Sequence, residues 1–143
     1  MSDLGLTHVA FAVSDIERSI DFYQRYAAMQ VVHRRSDATS EAAWLSDFTR
    51  PFVIVLVRAP GLVDTPLGPF GHLGVACRSR DDVDRLAREA SAEGILRLGP
   101  KDSGPPVGYW ALIADPDGNT LEVAHGQEVA FTVRQATDLD GDE

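Results

Sequence analysis

An α+β fold made of two βαβββ modules follows from an internal repeat, a helical period after each copy, and a run of short extended segments after each helix. His8-Val9-Ala10-Phe11-Ala12-Val13 returns in kind as His72-Leu73-Gly74-Val75-Ala76-Cys77, each led in by a glycine, Gly5 or Gly71. One such module is too small to bury a sheet face alone, so two must pair, within a chain or between chains. The expected organisation is a single domain over residues 1–143, with modules at about 4–58 and 70–126 and an acidic tail at 127–143.

The elements follow in order. After the first repeat copy, Ser14 is the expected helix N-cap, and Ile16, Ile20 and Tyr23 recur at helical spacing. Extended segments are expected at 29–35, 41–46 and 52–58. Ala59-Pro60-Gly61 through Pro69 is rich in proline and glycine and marks the joint between modules. In the second module Ser79 can cap, Val83, Leu86, Ala87 and Ala90 form the apolar stripe, and Gly94 stops the helix. Segments 95–98, 109–114 and 119–125 read as strands, and Gly99-Pro100 to Pro106 as a surface loop. Asp115-Pro116-Asp117-Gly118 is a turn signal that joins the last two strands in a hairpin, because proline presets φ and glycine accepts positive φ.

Composition narrows the function. The 143 residues carry a formal net charge of −9, which opposes nucleic acid as a partner. Asp138, Asp140, Asp142 and Glu143 make the end of the chain a solvated acidic tail. No apolar run approaches the roughly 20 residues of a membrane helix. Met1-Ser2-Asp3 does not open a signal peptide, and the single Cys77 cannot form an internal disulfide, so a cytoplasmic protein is expected.

Strand alternation supplies the candidate site. Val9, Phe11 and Val13 share one face and read as core, which leaves His8, Ala10 and Ala12 on the other. Leu73, Val75 and Cys77 oppose His72, Gly74 and Ala76 in the same way, and Leu121 and Val123 oppose Glu122 and Ala124. Three strands thus each set one metal-competent side chain among small residues, which leave a concavity. Two imidazoles and one carboxylate make a facial triad, with coordination positions open to substrate or water. Fe(II) is the favoured divalent metal, with Mn(II) or Zn(II) as alternatives. Ala10, Ala12, Gly74, Tyr109 and Trp110 are the expected pocket residues.

Each residue also has an ordinary structural reading. A lone strand histidine is usually a hydrogen-bonded structural residue, and a lone glutamate near a turn is usually solvated. The return of histidine at the same repeat position favours the ligand reading. His33 reads as surface, His125 falls on the face opposite Glu122, and Cys77 reads as inert core.

Thr7 to Asp15 with Ser19-Ile20-Asp21-Phe22-Tyr23 resembles the opening of the vicinal oxygen chelate superfamily. Gly71 to Val75 resembles its middle strand, and Asp115 to Asn119 followed by Leu121-Glu122-Val123 resembles its closing hairpin. This glyoxalase/bleomycin resistance/dioxygenase resemblance implies paired modules forming a cupped mixed sheet around a divalent metal that chelates vicinal substrate oxygens. Extradiol dioxygenases and fosfomycin-resistance enzymes use ligands that match His8, His72 and Glu122. Glyoxalase I and methylmalonyl-CoA epimerase use a fourth ligand on the strand that here reads Phe52 to Val57, which offers none. Ring-cleaving dioxygenases carry a tyrosine where Leu112 stands, with Tyr109 near.

A small dioxygenase, an oxidoreductase acting on an oxygen-bearing small molecule, is the leading expectation. A metal-free drug- or metabolite-sequestering protein is the alternative. A glyoxalase-like lyase or isomerase, or a thiol transferase, is a further one. Lys101 is the only lysine, which disfavours a phosphonate substrate. The resemblance also implies a homodimer.

Overall fold

The computed structural model describes residues 4–62, 66–67 and 70–140, with side chains to 138. The joint between the modules therefore lies partly outside the described residues, as do Asp142 and Glu143. The element order is β1 (His8–Ala12), α1 (Ile16–Ala27), β2 (Gln30–Ser36), β3 (Glu41–Ser46), β4 (Val53–Arg58), β5 (His72–Ala76), α2 (Arg80–Ala92), β6 (Leu96–Asp102), β7 (Tyr109–Ala114), β8 (Thr120–His125) and α3 (Val129–Asp140). Two compact units result, one of Met1–Gly71 with Asp115–Asn119, the other of His72–Ala114 with Thr120–Glu143.

The first unit holds a four-stranded mixed sheet in the order β1-β4-β3-β2, with β1 parallel to β4 and the other pairs antiparallel. Phe11, Val13, Ala43, Leu45, Ile54 and Leu56 are buried. Strand alternation puts all six on the face that α1 covers. From the helix come Ile16, Ile20, Phe22, Tyr23 and Tyr26, all buried. Phe22 meets Tyr23 edge-on at 4.9 Å, so the aromatics interlock as well as bury area.

Asp15, not Ser14, caps α1: its Oδ1 accepts from the Arg18 N–H at 3.1 Å. Ser14 is engaged elsewhere. Its N–H (3.0 Å) and its hydroxyl (2.7 Å) both donate to Asp117 Oδ1. In the same turn Asp115 accepts from the buried Tyr23 hydroxyl at 2.8 Å and from the Asn119 N–H at 2.8 Å. Burial, followed by the charge of Asp115, raises the Tyr23 pKa, so the phenol stays protonated and donates.

The second unit repeats the plan in the order β5-β8-β7-β6. β5 is parallel to β8, and the hairpin β7–β8 is antiparallel. Val83, Leu86, Ala87 and Ala90 are buried on α2, as the apolar stripe requires. Ser79 caps that helix by accepting from the Asp82 N–H at 3.1 Å. Gly94 follows its end at φ +74°, a left-handed position that glycine adopts without strain.

Two elements differ from expectation. β6 runs through Gly99 and Pro100 to Asp102 rather than giving way to a loop. The pairing skips from Leu98↔Leu112 to Lys101↔Trp110, so a bulge absorbs the pair. A Cβ on Gly99 would lie 2.7 Å from the Trp110 carbonyl, so only glycine lets the strands approach there. The segment read as a tail forms α3, whose described side chains are exposed. Among the described residues no helix is long and apolar enough to cross a membrane.

Candidate metal and substrate site

In each sheet one face lies under a helix, and the other carries the candidate residues. On the second sheet the register pairs His72 with Thr120 and Gly74 with Glu122. Paired residues share a face, as do residues two apart, so His72, Gly74, Thr120 and Glu122 lie together on the face away from α2. The carboxylate lies over Gly74: a Cβ placed there would be in ordinary contact with Glu122 Oε2, at 3.5 Å. The same oxygen accepts from the Gln127 amide at 3.0 Å, so Gln127 orients the carboxylate from just past the end of β8.

On the first sheet His8, Ala10 and Ala12 pair with Val53, Val55 and Val57. The imidazole Nδ1 of His8 lies 2.9 Å from the Thr7 hydroxyl. The two sheets can be aligned position by position through their registers. His8 pairs with Val53 as His72 pairs with Thr120, so Val55 stands where Glu122 stands. Trp44 pairs with Val55 as Leu112 pairs with Glu122. The first unit therefore repeats the histidine but replaces the carboxylate with an isopropyl group that has no donor atom. Within the described residues, no group of three or more His, Cys, Asp and Glu is close enough to hold an ion. His72 and Glu122 nevertheless fit a divalent metal as a pair. They are nitrogen and oxygen donors on one face of the sheet, with a hydrogen bond from Gln127 behind the carboxylate.

The expected pocket residues divide. Ala10 and Ala12 share the His8 face, and Gly74 shares the His72 face. Trp110 pairs with Ala124, on the Glu122 face, and its indole N–H donates to the Ser103 hydroxyl at 2.9 Å. Tyr109 does not belong with them. It pairs with His125 on the opposite, helix-facing side, donates its hydroxyl to Asp84 of α2, and lies 4.1 Å beneath the Arg80 guanidinium. His125 lies opposite Glu122 as expected, its Nδ1 3.1 Å from the Cys77 carbonyl. Burial pushes the Cys77 thiol up in pKa, against a reactive thiolate.

Alternation along single strands did not reveal a cavity of about 530 Å³ on the first sheet, beside His8. Trp44, Phe48, Arg50, Phe52 and Val55 help to line it. Trp44 could have been found by carrying the His8 face across the sheet. Phe48 and Arg50 lie in the loop after β3, whose path no periodicity gives. His33, expected at the surface, is exposed but meets Trp44 edge-on at 5.0 Å on this same face.

Two sheets of this plan, each with a histidine at the head of its first strand, define a fold class, and comparison with known proteins gives its name. Residues 5–123 match the model of the Glyoxalase/Bleomycin resistance protein/Dioxygenase superfamily, and the chain belongs to that superfamily. An uncharacterized protein of Pseudomonas aeruginosa is 38% identical over 124 residues, covering 85% of this chain and 89% of the relative. The lactoylglutathione lyase of Escherichia coli O157:H7 is 27% identical, covering 84% of this chain and 91% of the enzyme. One from Arabidopsis thaliana is 30% identical over 81% of this chain but only 42% of its own length, so this chain spans less than half of that relative. Among solved structures, glyoxalase I of Leishmania major shares the fold at TM-score 0.73 and 18% identity, over 99% of this chain and all 100% of that one. A fosfomycin resistance protein of Listeria monocytogenes, complexed with Mn(II) and a dihydroxypropylphosphonic acid, does so at TM-score 0.70 and 17% identity, over 92% and 98%.

Proposed function

We propose that this chain is a divalent-metal-dependent enzyme whose protein ligands are His8, His72 and Glu122. The observation that carries the reading is the Glu122 carboxylate lying over Gly74 on the face that His72 shares, steadied by Gln127. His8 at the matching position of the first sheet supports a second imidazole. These two imidazoles and the carboxylate would hold a divalent ion, which would supply Lewis-acid chemistry toward vicinal oxygens of a small substrate. Fe(II) is favoured, with Mn(II) or Zn(II) as alternatives.

Val55 in the register position of Glu122 supports a three-ligand set, and with it dioxygenase-like chemistry over glyoxalase I chemistry. The lactoylglutathione lyase relatives support the second reading, a glyoxalase-like lyase. Cytoplasmic location and homodimerisation belong to the same proposal. Light scattering on the purified chain tests the dimer, which a monomer mass would refute.

Metal analysis of protein purified without chelator tests the ligand set. About one ion per site is expected, and its loss in His8→Ala, His72→Ala and Glu122→Ala. Unchanged metal content in all three variants would overturn the proposal. Oxygen uptake with catechols, set against turnover of a glutathione hemithioacetal, separates the two reactions.

A further inference from the structure

The cavity beside His8 points to a substrate class. Its walls are mostly apolar and aromatic: Trp44, Phe48, Phe52 and Val55 line it, with His8 and Ser46 among its polar residues and the Arg50 guanidinium at its border. A volume of about 530 Å³ suits a small organic molecule. Trp44 is 43% exposed and held edge-on by His33, so a flat aromatic face is offered to solvent in a fixed orientation. Phe48 is more unusual. It adopts φ +61°, a left-handed conformation that costs free energy for a bulky side chain, and leaves its ring 67% exposed. The loop keeps this arrangement through its own polar groups. Ser46 Oγ accepts from the Phe48 N–H at 3.0 Å, and Asp47 Oδ1 accepts from the Thr49 N–H at 3.0 Å.

Arg50 has no ion pair or side-chain hydrogen bond among the described residues, although acidic groups outnumber basic ones in the chain. It also borders a neighbouring cavity of about 420 Å³. A guanidinium left unpaired beside aromatic rings is suited to a carboxylate on an otherwise apolar molecule.

We propose that this cavity seats a small aromatic carboxylic acid, its ring against Trp44 and Phe48 and its carboxylate on Arg50. The proposal deepens the metal-enzyme reading and rests on it only in making that acid a substrate rather than a bound ligand. The test is calorimetric titration of this chain, as purified and after metal removal, with 2-naphthoate and with the uncharged 2-naphthamide. Naphthoate should bind about tenfold more tightly than the amide, the scale of one charge-assisted contact. Arg50→Gln should erase that preference. Trp44→Ala and Phe48→Ala should weaken both ligands and leave the preference intact. Phe48 is the more exposed position and carries the prediction if Trp44→Ala does not fold. No saturable binding, or a preference that survives Arg50→Gln, would overturn the proposal. Naphthoate binding by a chain that takes up no metal would support this pocket and refute the metal reading. Metal uptake without naphthoate binding would do the reverse.

Discussion

The two sheets share a plan and differ in what crosses their open faces. One row on the first sheet reads Ala10, Val55, Trp44 and His33; the matching row on the second reads Gly74, Glu122, Leu112 and Leu98. The first offers an aromatic wall and no carboxylate. The second offers a carboxylate lying over a glycine. The framework repeats, and side chains at equal positions differ: the first sheet carries a histidine and a ring-sized cavity, the second a histidine and a carboxylate. The helices diverge in the same way. Phe22, Tyr23 and Tyr26 are buried on α1 where Leu86, Ala87 and Ala90 are buried on α2.

The largest expected difference between the sheets is in metal binding. Glu122→Ala should lower metal affinity by more than the roughly 10–100-fold that loss of an outer-shell partner costs, while Val55→Ala should leave it unchanged. Calorimetry with Mn(II) measures both. In the helices, Tyr23→Ala should cost about 3–5 kcal/mol in urea unfolding, since it empties a fully buried site and removes one of the hydrogen bonds that the Asp115 carboxylate accepts. At the equivalent position of α2, Ala87→Leu should cost about 1–3 kcal/mol by overpacking. Gln127→Ala frees Glu122 without removing it, and metal affinity should fall by roughly 10-fold, with the ligand count unchanged by spectroscopy.

The caps should behave alike in both units: Asp15→Ala and Ser79→Ala should each cost about 1 kcal/mol. The smallest effect belongs to Asp37. Hydrogen bonds from the Thr39 and Ser40 N–H groups lower its pKa from 3.8 to about 2. A depressed carboxylate stabilises the fold above its unfolded pKa and ceases to do so as pH falls through the folded one. Asp37→Asn should therefore flatten acid unfolding slightly between about pH 4 and 2, followed by circular dichroism.

Much of this was legible in the repeat. Alternation set His8, Ala10 and Ala12 apart from Val9, Phe11 and Val13, and the same rule set His72 and Glu122 on one face once the strands paired in parallel. The repeat also held an answer that composition alone obscured. Ser79 lies seven residues after His72, and Asp15 lies seven after His8, so the cap of α1 is the residue equivalent to Ser79; Ser14 is drawn away by Asp117. Tyr109 and Trp110 cannot both face one cavity, because neighbours in a strand point apart. The register of the β7–β8 hairpin decides between them by placing Trp110 with Glu122. The continuation of β6 past Pro100 depends on a bulge and on one glycine pressed against a carbonyl, and neither has a local signature. Phe48 and Arg50 were hidden for a similar reason: their positions depend on a loop closed by side-chain hydrogen bonds, not on a period.

Pulsed electron paramagnetic resonance of the Mn(II)-loaded protein, with histidine labelled at its ring nitrogens, counts the imidazoles on the ion. Two coupled nitrogens in the parent protein, falling to one in either His8→Ala or His72→Ala, is the predicted result. An ion that shows no imidazole coupling, or a count that neither substitution changes, would contradict it.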